Sequence, residues 1–573
     1  MGLVERSLVP ALVMLLGCAG GVSATPKLRL TAAAIGPVVV ASGANGPQQA
    51  IDAYNVGDGA LALTATANVT WISAAVGEAG NCALRPGQCT PIRMDLNTAG
   101  LAKGLHTGLV TISDPNAADA PQTVTVTVQV GGAVPDKMAF YVLPGGKEEQ
   151  VIRAGNPLGV AASTESGGDW LSVPSEGGGS FRFNYNYRVV AKHLVGMGEG
   201  EYTGRLNVFN SRLEEENRQA PVTLKVTSGP ILTAPGLVML RLGEGSAAYP
   251  AALSLANRGG GSLEISEVRS AVEGDGNWLS AEVSGEGKGV KIKADPAGLP
   301  QGLYKGSIEV VSNAANSPYS VPVVLEVMAA GPPAIDYATV TNLASTDPDP
   351  VVAPGMLVKV RGTQITALEE SAATEAPYPG SLGGVQVYVN GIEGAVMRAA
   401  SDELWFQAPY DVEPGPALVQ LVRDGQVGNF VEVTVVERAP RIEPAAVSPY
   451  ARALLEDGVA AMPEAAGGRP AKAGDLLTIA MIGLGRTEPA VATGAAPAEP
   501  AANVPGPVLV SFGANLFSEG VVVQADSAQL IPGSPGRYAV KVTVPPDTAT
   551  GDRVALTVTA GGVSSNRLYL AIQ

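Results

Sequence analysis

The chain has 573 residues, of which 71 are Gly and 44 Pro, so about a fifth is turn-forming against roughly an eighth in average usage. Charged residues make up only 16%, and 37 Lys and Arg stand against 53 Asp and Glu, a formal charge of −16. Such a surface repels phosphate backbones and anionic membranes, and two histidines, His106 and His193, are too few for multi-imidazole zinc sites or for a nucleophilic triad in each of several domains.

Residues 1–24 have the pattern of a secretion signal: Arg6, an apolar stretch from Leu8 to Gly17, and Val22-Ser23-Ala24 as a small-residue cleavage site. A second reading takes Leu15-Leu16-Gly17-Cys18 as a lipobox, with Cys18 acylated as the mature N-terminus. Both predict export to the cell surface or beyond and differ in whether the product is lipid-anchored. No later apolar run approaches the ~18 residues that a bilayer requires, so no transmembrane helix is expected. The other two cysteines, Cys82 and Cys89, flank a Pro86-Gly87 turn. In an exported chain they predict a disulfide, worth roughly 2–3 kcal/mol by loop entropy. As metal ligands they would supply half a site.

One pattern then recurs three times. Its first mark is Trp71-Ile72-Ser73, Trp170-Leu171-Ser172 and Trp278-Leu279-Ser280, spaced at the size of one small β-sandwich. Its second is a Gly-x-x-x-Gly segment: Gly104 to Gly108, Gly200 to Gly204 and Gly302 to Gly306. Each unit closes on strict alternation, as in Val124, Val126, Val128 and Val130, the signature of a half-buried strand. Turns led by Asn55 and Asn257 precede the first and third Trp, and the second unit lacks that turn. Ser211 to Gln219 has too few apolar positions to dock as a helix and reads as a charged hairpin tip.

After the Gly331-Pro332-Pro333 linker two further related halves follow, opening at Ala353-Pro354-Gly355 and Lys472-Ala473-Gly474. The expected architecture is all-β: tandem immunoglobulin-like sandwiches strung as beads, over 25–131, 133–229, 230–330, 334–437 and 438–573. Units of about a hundred residues bury enough surface to hold independent cores.

The first three units resemble BACON-type and related bacterial immunoglobulin-like modules, through the Trp-Leu-Ser segment, the Gly-rich turn and the Val-rich closing strand. Residues 334–573 resemble the Solibacter-type C-terminal domain of secreted Acidobacteria proteins, through Asn342-Leu343-Ala344-Ser345, Ala353-Pro354-Gly355, Gln407-Ala408-Pro409-Tyr410 and Gly483-Leu484-Gly485. An Ala/Pro-rich insertion from Ala490 to Gly506 departs from that pattern. The resemblance implies export and tandem sandwiches and brings no catalytic residue. BACON-like modules have been associated with carbohydrate, which extends to this chain by analogy alone.

The repeated Trp71, Trp170 and Trp278 read as core markers, since a Trp repeated at one place in a sandwich fills its interior. Phe181, Phe183, Tyr185 and Tyr187 align with inward-facing aliphatic residues of the sister units. The opposite face then carries Arg182, Asn184, Asn186 and Arg188, a row of planar donors and acceptors that is either a solvated face or a contact surface for hydroxyl-rich ligands. Asp347 and Asp349 lack a calcium-loop pattern and read as linker. No nucleophile elbow or P-loop occurs. The sequence therefore predicts a non-catalytic exported protein without cofactor or metal. Adhesion or glycan binding is its first expected role, with a glycan or a cell-envelope protein as partner. A structural spacer is the second, and a polysaccharide hydrolase the third.

Overall fold

The computed structural model describes residues 25–83, 85–174, 185–274, 276–285, 287–345, 350–514 and 520–573. Residues 1–24 with Cys18, and also Phe181, Arg182, Phe183, Asn184, Asp347 and Asp349, lie outside them. The fold is all-β, a tandem series of immunoglobulin-like sandwiches. Among the described residues the helical segments are single 3₁₀ turns at Glu214–Glu216 and Glu464–Ala466. Five hydrophobic cores follow one another, running from Leu28 to Val130, Val134 to Val226, Leu232 to Val327, Ile335 to Ala439 and Ile442 to Ile572. The fourth also takes in Ile482 from the fifth unit.

The first three units share one topology. In each, an early strand runs parallel to the closing strand: Ala34–Val40 with Gln122–Val130, Met138–Val142 with Gln219–Val226, Val238–Gly243 with Tyr319–Met328. The Gly-opened strand pairs antiparallel on the far side of the closing one. Alternation behaves as period two demands: Val124, Val126, Val128 and Val130 are wholly buried and the residues between them are not.

The two repeated marks are halves of one contact. A Cβ on Gly108, Gly204 or Gly306 would lie 3.3, 3.2 and 3.2 Å from Cζ2 of Trp71, Trp170 and Trp278, with a neighbouring strand oxygen or side-chain carbon closer still. The second glycine of each Gly-x-x-x-Gly segment is therefore the seat of that unit's indole, and the three tryptophans are 8%, 0% and 3% exposed. The Asn-led turns repeat equally closely. Asn55 Oδ1 accepts from the backbone N–H of Lys27 and Gly57, and Asn257 Oδ1 from those of Ile231 and Gly259, tying each turn to its unit's first segment.

The string is folded back on itself, so non-consecutive units touch as well. Asp119 of the first unit is 2% exposed; one carboxylate oxygen accepts from Arg29 at 2.6 Å and the other from the backbone N–H of Glu432 in the fourth unit at 2.8 Å. Lys27 pairs with Glu432 at 2.7 Å, and Asn429 donates to the Ala120 carbonyl. The Ser211 to Gln219 segment is a hairpin connection, but it is not simply a solvated tip. Glu216 is wholly buried there, accepting from the Ala133 backbone N–H at 2.7 Å and from the Ser211 hydroxyl at 2.5 Å. A Cβ at Gly132 would collide with its side chain, which explains the glycine in the linker between the first two units.

Candidate functional site

The fourth and fifth units meet along residues that the sequence marks as motif. Gly355 has φ +71°, and a Cβ there would lie 2.0 Å from the Tyr410 ring, so the ring packs against a position that only glycine can occupy. Buried Gln407 donates to the Gly355 carbonyl, and its own oxygen accepts from the Gly494 backbone N–H at 2.7 Å. Thr493 and Arg486 grip the backbone of Tyr410 and Val412. The Ala490 to Gly506 insertion is thus a strap that fastens the fifth unit to the fourth.

This fastened junction walls a cleft of about 400 Å³. On one side, strand Glu403–Gln407 turns Leu404 and Phe406 inward, both fully buried. By alternation Glu403 and Trp405 face outward. Trp405 is the fourth tryptophan of the chain and stands off the repeat; it is half-buried and lines the cleft. Its indole N–H donates to Glu403 at 2.7 Å, and the Arg398 guanidinium lies 4.9 Å from the ring centroid. Glu403 also binds Arg398 at 2.5 Å, which fixes carboxylate and ring as one unit. Lys359 is the cross-strand neighbour of Trp405.

The opposite wall comes from one end of a sheet of the fifth unit, where Ile482 pairs with both Arg441 and Arg537. Glu443, 7% exposed, follows that first strand. One of its oxygens binds Arg452 at 3.2 Å and the other Arg537 at 3.0 Å. A buried carboxylate so shared holds two guanidinium groups at the rim in fixed orientation, with N–H donors left over. The cleft therefore combines an indole, two anchored carboxylates and three cations on a braced junction. That set suits a polar ligand with an apolar face, such as a sugar ring.

A smaller cavity of about 150 Å³ lies between the third and fourth units, lined in part by Tyr249, Asp336, Ser401 and Asp402. Burial pushes the Asp336 and Asp402 carboxyls above their ordinary range, more than nearby Arg241 and Arg361 restore for Asp336. Burial and the charge of Asp402 likewise hold the Tyr249 hydroxyl far above its usual value.

Of the residues read from sequence, Asn186 and Arg188 project to solvent from Tyr185–Lys192, and Tyr187 turns inward, its hydroxyl accepting from the Leu158 backbone N–H. Arg188 is engaged by Glu149 at 3.5 Å. Trp71, Trp170 and Trp278 sit in three separate cores and form no common surface. Cys82 and Cys89 are bonded to one another. No described residues form a group of three or more His, Cys, Asp or Glu suited to a metal ion, and no described helix is long and apolar enough to cross a membrane. Trp405, Glu403, Glu443, Arg452 and Arg537 escape the sequence reading. The signal for Trp405 is present in it: Glu-Leu-Trp-Phe-Gln alternates, and its Trp falls on the polar side.

No family model matches the chain, and none of the curated proteins does. Among solved structures, Sidekick-1 immunoglobulin domains 1–5 align over 96% of this chain and 99% of their own length at 10% identity, with a TM-score of 0.16. The human desmocollin-1 ectodomain aligns over 72% of this chain and 79% of its own at 10% identity and TM-score 0.14. An endo-fucoidan hydrolase of glycoside hydrolase family 107 aligns over 53% of this chain at 14% identity and TM-score 0.18. The chain spans 45% of that hydrolase's length. At TM-scores this low, none of these likenesses bears on function.

Proposed function

We propose that the chain is a non-catalytic, exported surface or extracellular protein that binds carbohydrate, and that its ligand lies in the cleft between the fourth and fifth units. The observation that carries this reading is the outward-facing Trp405, fixed by Glu403 and Arg398 beside ion-paired Glu443. An indole on the polar side of a strand presents apolar area to a pyranose ring, and anchored carboxylates and guanidinium groups match its hydroxyls. Both carboxylates are committed to ion pairs, an arrangement for positioning a ligand rather than for donating a proton to it. The resemblance of the first three units to BACON-type modules agrees with export and with a carbohydrate role. In this reading the three N-terminal sandwiches hold the binding pair away from an N-terminal anchor or partner.

The test is a glycan and polysaccharide array probed with the mature chain, with Trp405→Ala and with an Asn186→Ala/Arg188→Ala double variant. Saturable binding that Trp405→Ala weakens strongly and the double variant keeps is the expected result. Binding lost only in the double variant would move the site to the second unit, and silence across the array would favour a spacer.

A further inference from the structure

Among the described residues that line it, the cleft has three cations and two carboxylates. Lys359, Arg452 and Arg537 line it against Glu403 and Glu443, in a chain whose formal charge is −16. The two carboxylates are already taken. Glu403 is bound by Arg398 and by the Trp405 indole, and Glu443 gives one oxygen to each of Arg452 and Arg537. Lys359 is half-buried on strand Leu357–Thr363, and its ammonium makes no ion pair among the described residues. Standing cross-strand from the indole, it places in the cleft a cation that an anionic ligand group would pair with. Arg452 binds Glu443 through one terminal nitrogen and Arg537 through Nε, so each guanidinium keeps N–H donors, and their side chains are 53% and 36% exposed.

Resting on the carbohydrate reading above, we propose that the ligand is an acidic glycan, whose carboxylate or sulfate group is taken by Lys359 and by the free N–H edges of Arg452 and Arg537 while the sugar ring lies against Trp405. Guanidinium groups held by a buried carboxylate keep the planar donor geometry that oxyanions match bidentately. The negative charge on the rest of the surface disfavours indiscriminate binding of polyanions, so selectivity is confined to this cleft.

The experiment is titration of the full mature chain with four probes: oligogalacturonate, its methyl ester, a sulfated galactan oligosaccharide and the desulfated galactan. The expected result is at least about tenfold preference for one acidic member over its neutral counterpart at 50 mM salt, shrinking severalfold at 0.5 M as screening sets in. Lys359→Gln removes most of that preference, weakening the acidic probe severalfold more than the neutral one; Trp405→Ala weakens both. Preference in the uronate pair identifies a carboxylate ligand, and preference in the galactan pair a sulfate. Equal binding of acidic and neutral members, unaltered in Lys359→Gln and weakened in Trp405→Ala, would overturn the acidic-ligand proposal and leave the carbohydrate site standing. Binding indifferent to both substitutions, or absent with all four probes, would overturn both.

Discussion

Trp170, just before strand Leu171–Ser172, and Trp405, within strand Glu403–Gln407, belong to the same kind of sandwich and have opposite fates. In each of the first three units the tryptophan closes on a glycine of its own unit and disappears into its own core. In the fourth unit a ring-on-glycine contact is made instead by Tyr410 on Gly355, and residues around it are gripped from the fifth unit. Trp405 takes no part in that contact and lies half-buried at the edge of the fourth core, lining the cleft. A lock left to itself yields modules that can be repeated, whereas a lock gripped from across a boundary yields a fixed pair with a shaped cleft between its members. A rigid seat of that kind is what a binding site requires, because ligand affinity is not then diminished by ordering the walls.

The comparison breaks most visibly on the tryptophans themselves. Truncating Trp170 to Ala empties the centre of the second core, and large aromatic deletions of this sort cost about 3–5 kcal/mol. The expected outcome is loss of hydrogen-exchange protection along Gly200–Phe209 and Gln219–Val226 in the full chain. Trp405→Ala removes a half-buried ring at the edge of its core, so protection of Glu403–Gln407 should fall by less than that, about 1 kcal/mol. Equal losses at the two positions would mean that Trp405 is simply another core residue.

Next in size is the shared lock. Gly355→Ala forces an L side chain into positive φ and into the Tyr410 ring, an overpacking expected to cost about 2–4 kcal/mol. Because Gln407 reaches the Gly355 carbonyl from the same side, the damage should spread to the junction as accelerated proteolysis within the strap of residues 490–506. A variant that melts normally and resists cleavage there would show that the strap holds without its seat.

How much of this was readable beforehand follows from where each signal is stored. The alternating valines, the Gly-x-x-x-Gly segments and the recurring Trp are local and repeated, so self-comparison of the chain finds the sandwiches and their order. That the second glycine of each segment seats the Trp is a long-range fact: Gly108 and Trp71 are far apart in sequence, and only the folded sheets bring them into contact. The cleft lies further beyond reach. Glu443, Arg452 and Arg537 each look like an unremarkable surface charge in its own segment, and their meeting depends on strand Leu476–Ile482 pairing with three different segments. The buried Glu216 was hidden for the same reason, since a run of three glutamates reads as solvated until its partners, Ala133 N–H and Ser211, are known. Asp119 behaves likewise, its partner in the fourth unit lying more than three hundred residues away.

The smallest effect concerns the junction just before the fixed pair, between the third and fourth units, where Asp336 and Asp402 share a cavity with Tyr249, Arg241 and Arg361. Both carboxyls are held above their ordinary range, chiefly by burial, so the folded chain binds protons more tightly than the unfolded one. Stability from these groups is full below the unfolded value near 3.8 and is lost as pH rises through their folded-state range. Asp336→Asn keeps the shape and removes the charge, so it should flatten that decline. The expected difference is a melting temperature about 1–3 °C above the parent at pH 8, vanishing toward pH 4. If the variant instead melts lower at pH 8, the attraction of Arg241 and Arg361 outweighs the burial of the carboxylate, and this junction is an ion-paired joint rather than a desolvated one. The fixed geometry downstream would then rest on charge at both of its borders.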